Sequence, residues 1–215
     1  MMNKMIVKMI RIKNHPISEA YANYCAPSWK GFDFEFYDAV TPDTLSSQRG
    51  LKFSDKKSGP HTETEKACLY SQYNLWKECA RSNKPYLILE HDAYLEKPEA
   101  IQYNPHLCIQ FFGQHAMEAV LFNPSFAREL ILKLQTQNIA EGPMAFVDRN
   151  LGYFNKGTQS LHGRPHARWI GKDAPVKSVL DPELGNTVAH VEPILDRIKD
   201  PVQRDLFKIT QLGDK

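Results

Sequence analysis

The sequence predicts an α/β fold, a sandwich of helices around a mainly parallel sheet. Stretches rich in β-formers alternate with stretches of helical spacing along the chain. The run Tyr86-Leu87-Ile88-Leu89 is apolar at every position, the pattern of a strand covered on both faces. Thr62-Glu63-Thr64-Glu65 has the spacing of a capping box and opens the clearest helix. One domain over residues 1–215 is expected, since this length suffices for one sizeable core and is short for two.

Each element follows from local chemistry. Residues 5–12 are β-formers, and Asn14-His15-Pro16 ends that strand and opens a helix over 16–25, with Pro16 suited to a first helical position. Phe32-Asp33-Phe34-Glu35-Phe36-Tyr37 alternates aromatic and acidic residues and reads as a half-buried strand. Residues 44–60 are polar and basic, with too few apolar side chains to pack, and read as a surface loop and candidate lid. After the capping box, Cys68, Ser71, Leu75 and Cys79 recur at three- and four-residue steps, a small-residue face that can lie close to a sheet. Asn83-Lys84-Pro85 stops this helix, and the apolar strand 86–89 follows.

Residues 107–112 and 119–122 read as two further strands, and Asn123-Pro124 caps a helix whose Phe126, Leu130 and Leu134 share a face. A helix is expected over 144–151, a loop rich in Gly, Pro, His and basic residues over 152–175, and short amphipathic helices over 193–212, broken at Pro201. There is no internal repeat and no low-complexity tract.

Composition excludes several classes. Hydrophobic residues at 42%, charged at 24% and aromatic at 11% argue against a disordered or fibrous chain. A net charge of +2, from 27 basic and 25 acidic side chains, cannot concentrate a polyanion, so no nucleic-acid partner is expected. Cys25, Cys68, Cys79 and Cys108 form no CxxC pair, which leaves neither a zinc-finger pattern nor a dithiol motif and suits a reducing compartment. The opening residues 1–11 are interrupted by lysines and read as a strand rather than a leader. No apolar run reaches about 18 residues, so no membrane span is expected. A cytoplasmic location follows, with peripheral membrane association and oligomeric state left open.

Ligands of open α/β sheets gather at the carboxyl ends of strands, where Glu90-His91-Asp92 stands. Two carboxylates separated by one residue on a non-helical turn can face one hard divalent cation, Mn²⁺ or Mg²⁺, which also takes the oxygens of a diphosphate. The alternative is that Glu90 caps a turn and Asp92 is solvated.

The segment from Thr62 to Trp76, with Glu65, Ala67-Cys68, Ser71-Gln72 and Trp76, followed by Leu87-Ile88-Leu89-Glu90-His91-Asp92, resembles glycosyltransferase family 25, which includes lipooligosaccharide galactosyltransferases. Gln72 stands where the family has histidine, and His91 where its triplet has a central acid. Residues 5–14, Phe34 to Val40, Ala119-Val120-Leu121-Phe122 with the helix after it, and Val147-Asp148 are similar to further family segments. The resemblance spans residues 5–151 and leaves 152–215 unassigned.

It implies a GT-A fold that binds a nucleotide-diphosphate sugar, such as a UDP-sugar, often with Mn²⁺. A sugar, galactose among the candidates, would pass to a glycan or other hydroxyl acceptor, as in lipopolysaccharide biosynthesis. Asn14, Asp38, Ala39 and Val40 would border the nucleotide with Glu90, His91 and Asp92. Asp92 and Glu90 would hold the metal, with His162, beside Arg164, His166 and Arg168, as a late ligand. Asp148 would act as base, its bland alternative being a helix cap or an ion pair with Arg149, and Glu118 is the reserve candidate. Tyr153 and Trp169 lie in loop-like sequence and could stack on the acceptor sugar. The rival reading is a degenerate relative that binds without turnover, motivated by Gln72 and His91. Nucleotidyl transfer ranks last, because no Gly-rich phosphate loop is present.

Overall fold

The computed structural model describes residues 5–54, 62–113, 117–136, 138–139, 167–168 and 174–179. Along the chain these form β1 (Ile6–Arg11), α1 (Pro16–Cys25), β2 (Asp33–Asp38), β3 (Lys52–Phe53), α2 (Glu63–Ser82), β4 (Tyr86–Leu89), β5 (Ala93–Leu95), β6 (Ile109–Phe111), β7 (Ala119–Phe122), α3 (Pro124–Thr136), β8 (Asn138–Ile139), β9 (Ala167–Arg168) and β10 (Val176–Ser178).

A six-stranded sheet in the order β2-β1-β4-β7-β6-β9 organises them. β2, β1, β4, β6 and β9 run one way, and β7 alone is antiparallel to both of its neighbours, so the expected mainly parallel sheet is present. Alternation along β4 divides the core. Tyr86 and Ile88 join Trp76 of α2 and Leu130 of α3 on one face, while Leu87 and Leu89 join Tyr21 and Cys25 of α1 and Trp29 on the other. All four β4 residues are buried, as a strand covered on both faces requires.

The helix ends confirm the sequence signals. Thr62 Oγ1 accepts from Glu65 N at 3.1 Å and Glu65 Oε2 accepts from Thr62 N at 2.9 Å, a complete capping box. Asn83 closes α2 in the left-handed region at φ 53°, before Pro85 enters the strand. At the start of α1 the cap is the His15 ring, whose Nδ1 accepts from Ser18 N at 3.3 Å.

Three expectations need correction. The stretch 44–60 is not a bare loop: a 3₁₀ turn covers Pro42–Ser47, β3 pairs in parallel with β8, and Leu45, Leu51 and Phe53 pack against the α2–α3 core. A few apolar residues, well placed, anchor a segment that looks polar on average. The strand expected over 107–112 is confined to β6, because the chain turns just before it, with Leu107 N donating to Asn104 O. The loop expected over 152–175 contains β9, which pairs in parallel with β6. The helices expected over 144–151 and 193–212 lie outside the described residues, as does the part of the proposed lid at 55–60. No helix among the described residues is long and apolar enough to cross a membrane.

Thr62→Ala removes one half of the reciprocal cap and is expected to destabilise the protein by about 1 kcal/mol (range about 0.5–2), with Thr62→Ser close to wild type. Thermal melts check this: a drop of about 2–4 °C in Tm is expected for a chain of this size. An Ala variant that melts like wild type would show that α2 does not depend on its cap.

Candidate active site

From β1 the chain passes to β2 on one side and later returns to β4 on the other, so the strand order reverses between β1 and β4. At such a point the connections leave in opposite directions and open a crevice at the carboxyl ends of the strands. Asn14 and His15 follow β1 there, and Glu90-His91-Asp92 follows β4.

The β1 and β2 ends are firmly built. Asn14 adopts a left-handed φ of 60°, tolerable for Asn, and its N donates to Glu19 Oε1 at 3.1 Å. Asp38 is ion-paired to Arg11 at 3.2 Å and Lys13 at 3.4 Å. Ala39 N donates to Arg11 O at 2.7 Å. Val40 N donates at 2.9 Å to Ser71 Oγ, which itself donates to Ala67 O at 3.0 Å, so the small-residue face of α2 fixes the segment leaving β2. The expected nucleotide-site residues Asn14, Asp38, Ala39 and Val40 therefore share the sheet edge with the triplet.

Within the triplet the three side chains have different surroundings. Glu90, just after β4, is exposed to solvent, although protein crowds around its carboxyl. Loss of hydration first, and the Asp92 charge second, push its carboxyl up to about 7. Its negative charge reaches Cys68 on α2, whose thiol is pushed up mainly by burial and then by Glu90. Asp92 is buried and belongs to the α1 side, where Tyr21 and Cys25 are both raised by burial first and by its charge next. The His91 ring lies 5.8 Å from that of Tyr21, centre to centre. Burial lowers its pKa below the ordinary imidazole value, with Asp92 opposing that and His15 adding to it.

Glu118 precedes β7 and closes the far wall. Its carbonyl accepts from Glu90 N at 3.0 Å, and its side chain is only 2% exposed. Gly113 makes room for it: a Cβ there would stand 2.7 Å from Glu118 Oε2 and 2.8 Å from Glu118 Cβ. Gln72 is also buried, and among the described residues its Oε1 has no hydrogen-bond partner.

β10 completes the site, and sequence reasoning missed it. It pairs antiparallel with β5, placing Ser178 opposite Ala93. Ser178 Oγ donates to Asp92 Oδ2, and Val179 N donates to Asp92 O at 3.0 Å. The sequence offered little signal, since only Val176 and Val179 of the four residues after Pro175 are β-formers. Asp148, Tyr153, His162 and Trp169 lie outside the described residues. Among the described residues no three His, Cys, Asp or Glu side chains are grouped to hold a metal ion.

The model of glycosyltransferase family 25 (LPS biosynthesis protein) matches residues 11–140, a span that includes α2, β4 and the triplet. No curated protein sequence matches the chain. Among solved structures, the crystal structure of a glycosyltransferase involved in the glycosylation of the major capsid of PBCV-1 is similar, at 8% identity, 97% coverage of this chain, 98% of that chain and a TM-score of 0.51. That likeness extends to the fold alone, an α/β sheet architecture. With well over half of its length matched, and with the matched segment delivering the acidic triplet to the switch point of the sheet, this chain belongs to glycosyltransferase family 25 and is a protein of glycosyl transfer.

Proposed function

We propose that the protein moves a sugar from a nucleotide-diphosphate donor, a UDP-sugar with galactose as the first candidate, to a hydroxyl of a glycan such as a lipopolysaccharide core. The work would be done in the cytoplasm by a single domain of GT-A type. The observation that carries the reading is the Glu90-His91-Asp92 triplet at the crevice where the order of strands reverses. In the displacement, the acceptor oxygen attacks the anomeric carbon as the bond to the diphosphate breaks, and a carboxylate takes the acceptor proton. Asp148 is the proposed base. Glu118, the other candidate, is almost wholly buried, which suits a wall better than a group that meets the acceptor. Tyr153 and Trp169 are the proposed platform for the acceptor sugar.

The donor set suits a hard cation. Glu90 and Asp92 are close enough for the charge of one to raise the pKa of the other, and neither is ion-paired within the described residues. Two carboxylates suffice for Mn²⁺ or Mg²⁺ when diphosphate oxygens and water fill the rest of the shell, with His162 as a further proposed ligand. When bound, the ion offsets the charge that develops on the leaving diphosphate.

The second reading, binding without turnover, rests on Gln72 and His91. Gln72 lies in the core, 3% exposed, so its exchange acts on the packing of α2 rather than on a donor. His91 leaves two acidic side chains in the triplet. Purified protein with UDP-sugars and Mn²⁺ separates the readings: saturable donor binding with slow donor hydrolysis is expected, and binding with no hydrolysis or transfer would favour the second. Absence of any binding would remove both.

Two variants test the triplet. Asp92→Asn is expected to weaken Mn²⁺-dependent UDP binding by about 10- to 100-fold, the scale of one charge-assisted contact, with Tm little changed. Unchanged affinity would take Asp92 out of the donor site. The raised Glu90 carboxyl has a signed consequence without metal. An unfolded chain ionises Glu90 near its ordinary 4.5 while the folded one holds the proton up to about 7, so this group lowers stability progressively as pH rises between those values. In chelator, Glu90→Gln is expected to gain stability over wild type across that window and to keep a constant lead above it. A pH-independent difference in paired melts would refute the desolvation of Glu90.

A further inference from the structure

The family match ends at residue 140, yet β10, at residues 176–178, reaches into the crevice. Its place is secured independently of the triplet. Val176 and Val179 are buried in the α1-side core, Val176 N donates to Phe112 O at 3.1 Å, and Val176 forms a bridge with Gly113. On its other side β10 pairs with β5 from Leu95 to Ala93. β10 thus joins the residues that follow β4 to the end of β6, whose Gly113 makes room for Glu118. The strand meets Asp92 twice, at its carbonyl through Val179 N and at its carboxylate through the Ser178 hydroxyl.

We propose that Ser178 is the positioning residue for Asp92. Its hydroxyl, on a strand anchored by the buried Val176 and Val179, donates to Oδ2, fixes the carboxylate's rotation, and leaves Oδ1 for the donor complex. No described residue donates a hydrogen bond to Oδ1. A carboxylate that must meet a ligand in one orientation loses affinity when it can rotate, and an outer hydrogen-bond partner prevents that rotation. This inference rests on the reading of Asp92 as a donor-site residue.

The test has two arms. In the first, Ser178→Ala and Asp92→Asn are combined in a double-mutant cycle read by thermal unfolding without donor; a coupled pair gives a non-additive Tm change. In the second, Mn²⁺-dependent binding of UDP is measured for wild type, Ser178→Ala and Ser178→Thr. The Ala variant is expected to bind about 10- to 100-fold more weakly, as for other outer-shell partners, and Thr, which keeps the hydroxyl on a strand that tolerates β-branching, is expected to recover most of the loss. An additive cycle would overturn the proposal. So would an Ala variant with wild-type affinity, or a Thr variant as weak as Ala, since a strand role alone is indifferent to the hydroxyl. A coupled cycle in a wild type that does not bind UDP would retain Ser178 as the holder of Asp92 while refuting the donor reading itself.

Discussion

Burial of β4 on both faces is the constraint from which the rest of the architecture follows. A strand whose successive side chains enter two different cores cannot shift by one residue without exchanging the two sets, so its register is closely specified. Tyr86 and Ile88 are held against α2 and α3, and Leu87 and Leu89 against α1 and Trp29. The apolar run stops at Leu89, and the first polar residues after it come at a fixed height, beside the end of β1 and the start of β7. The location of Glu90-His91-Asp92 is thus a consequence of core packing rather than of any attraction among the three side chains.

The two helices nearest the crevice serve the same end by different means. α2 brings Ser71 close enough for its hydroxyl to take Val40 N, which a bulkier residue on that face would prevent, and the charge of Glu90 is felt by the Cys68 thiol on the same helix. α1 contributes large groups instead: Tyr21 lies beside the His91 ring, and the Trp29 indole, after the helix, donates to Ala93 O at 2.9 Å. α2 thus fastens the segment that leaves β2, while α1 sets aromatic bulk beside the triplet.

What could be read from the sequence was what local chemistry encodes. The capping box at Thr62, the breaker at Asn83-Lys84-Pro85 and the doubly buried strand are short-range signals, and each element they predict is present. The strands β3, β8, β9 and β10 are two or three residues long and exist because of partners far away in the chain, so no window of sequence reveals them. The polar appearance of 44–60 hid Leu45, Leu51 and Phe53 for a related reason: average composition says nothing about which few residues meet a core. In the site, Glu90 and Asp92 were legible from their place after an apolar strand. Ser178 was not, since it lies 86 residues from Asp92 and carries no motif.

The electrostatics of the crevice follow from the same geometry. Glu90 and Asp92 follow the end of β4 and Glu118 precedes the start of β7 beside it, yet the cations of the neighbouring strand end, Arg11 and Lys13, are already engaged with Asp38. Asp92 is left with a hydroxyl donor, and burial lowers the pKa of the intervening His91. Loss of hydration, with the Asp92 charge added to it, raises the energy of an ionised Glu90 in the ligand-free fold, and its carboxyl rises to about 7 as a result. A protein tolerates such a centre only where the surrounding core is stable enough to hold it, and here that core is the doubly buried strand on which the triplet stands. In the proposed reaction a cation arriving with the diphosphate would find this charge already in place, so part of its binding free energy would come from relieving repulsion that folding alone leaves unrelieved.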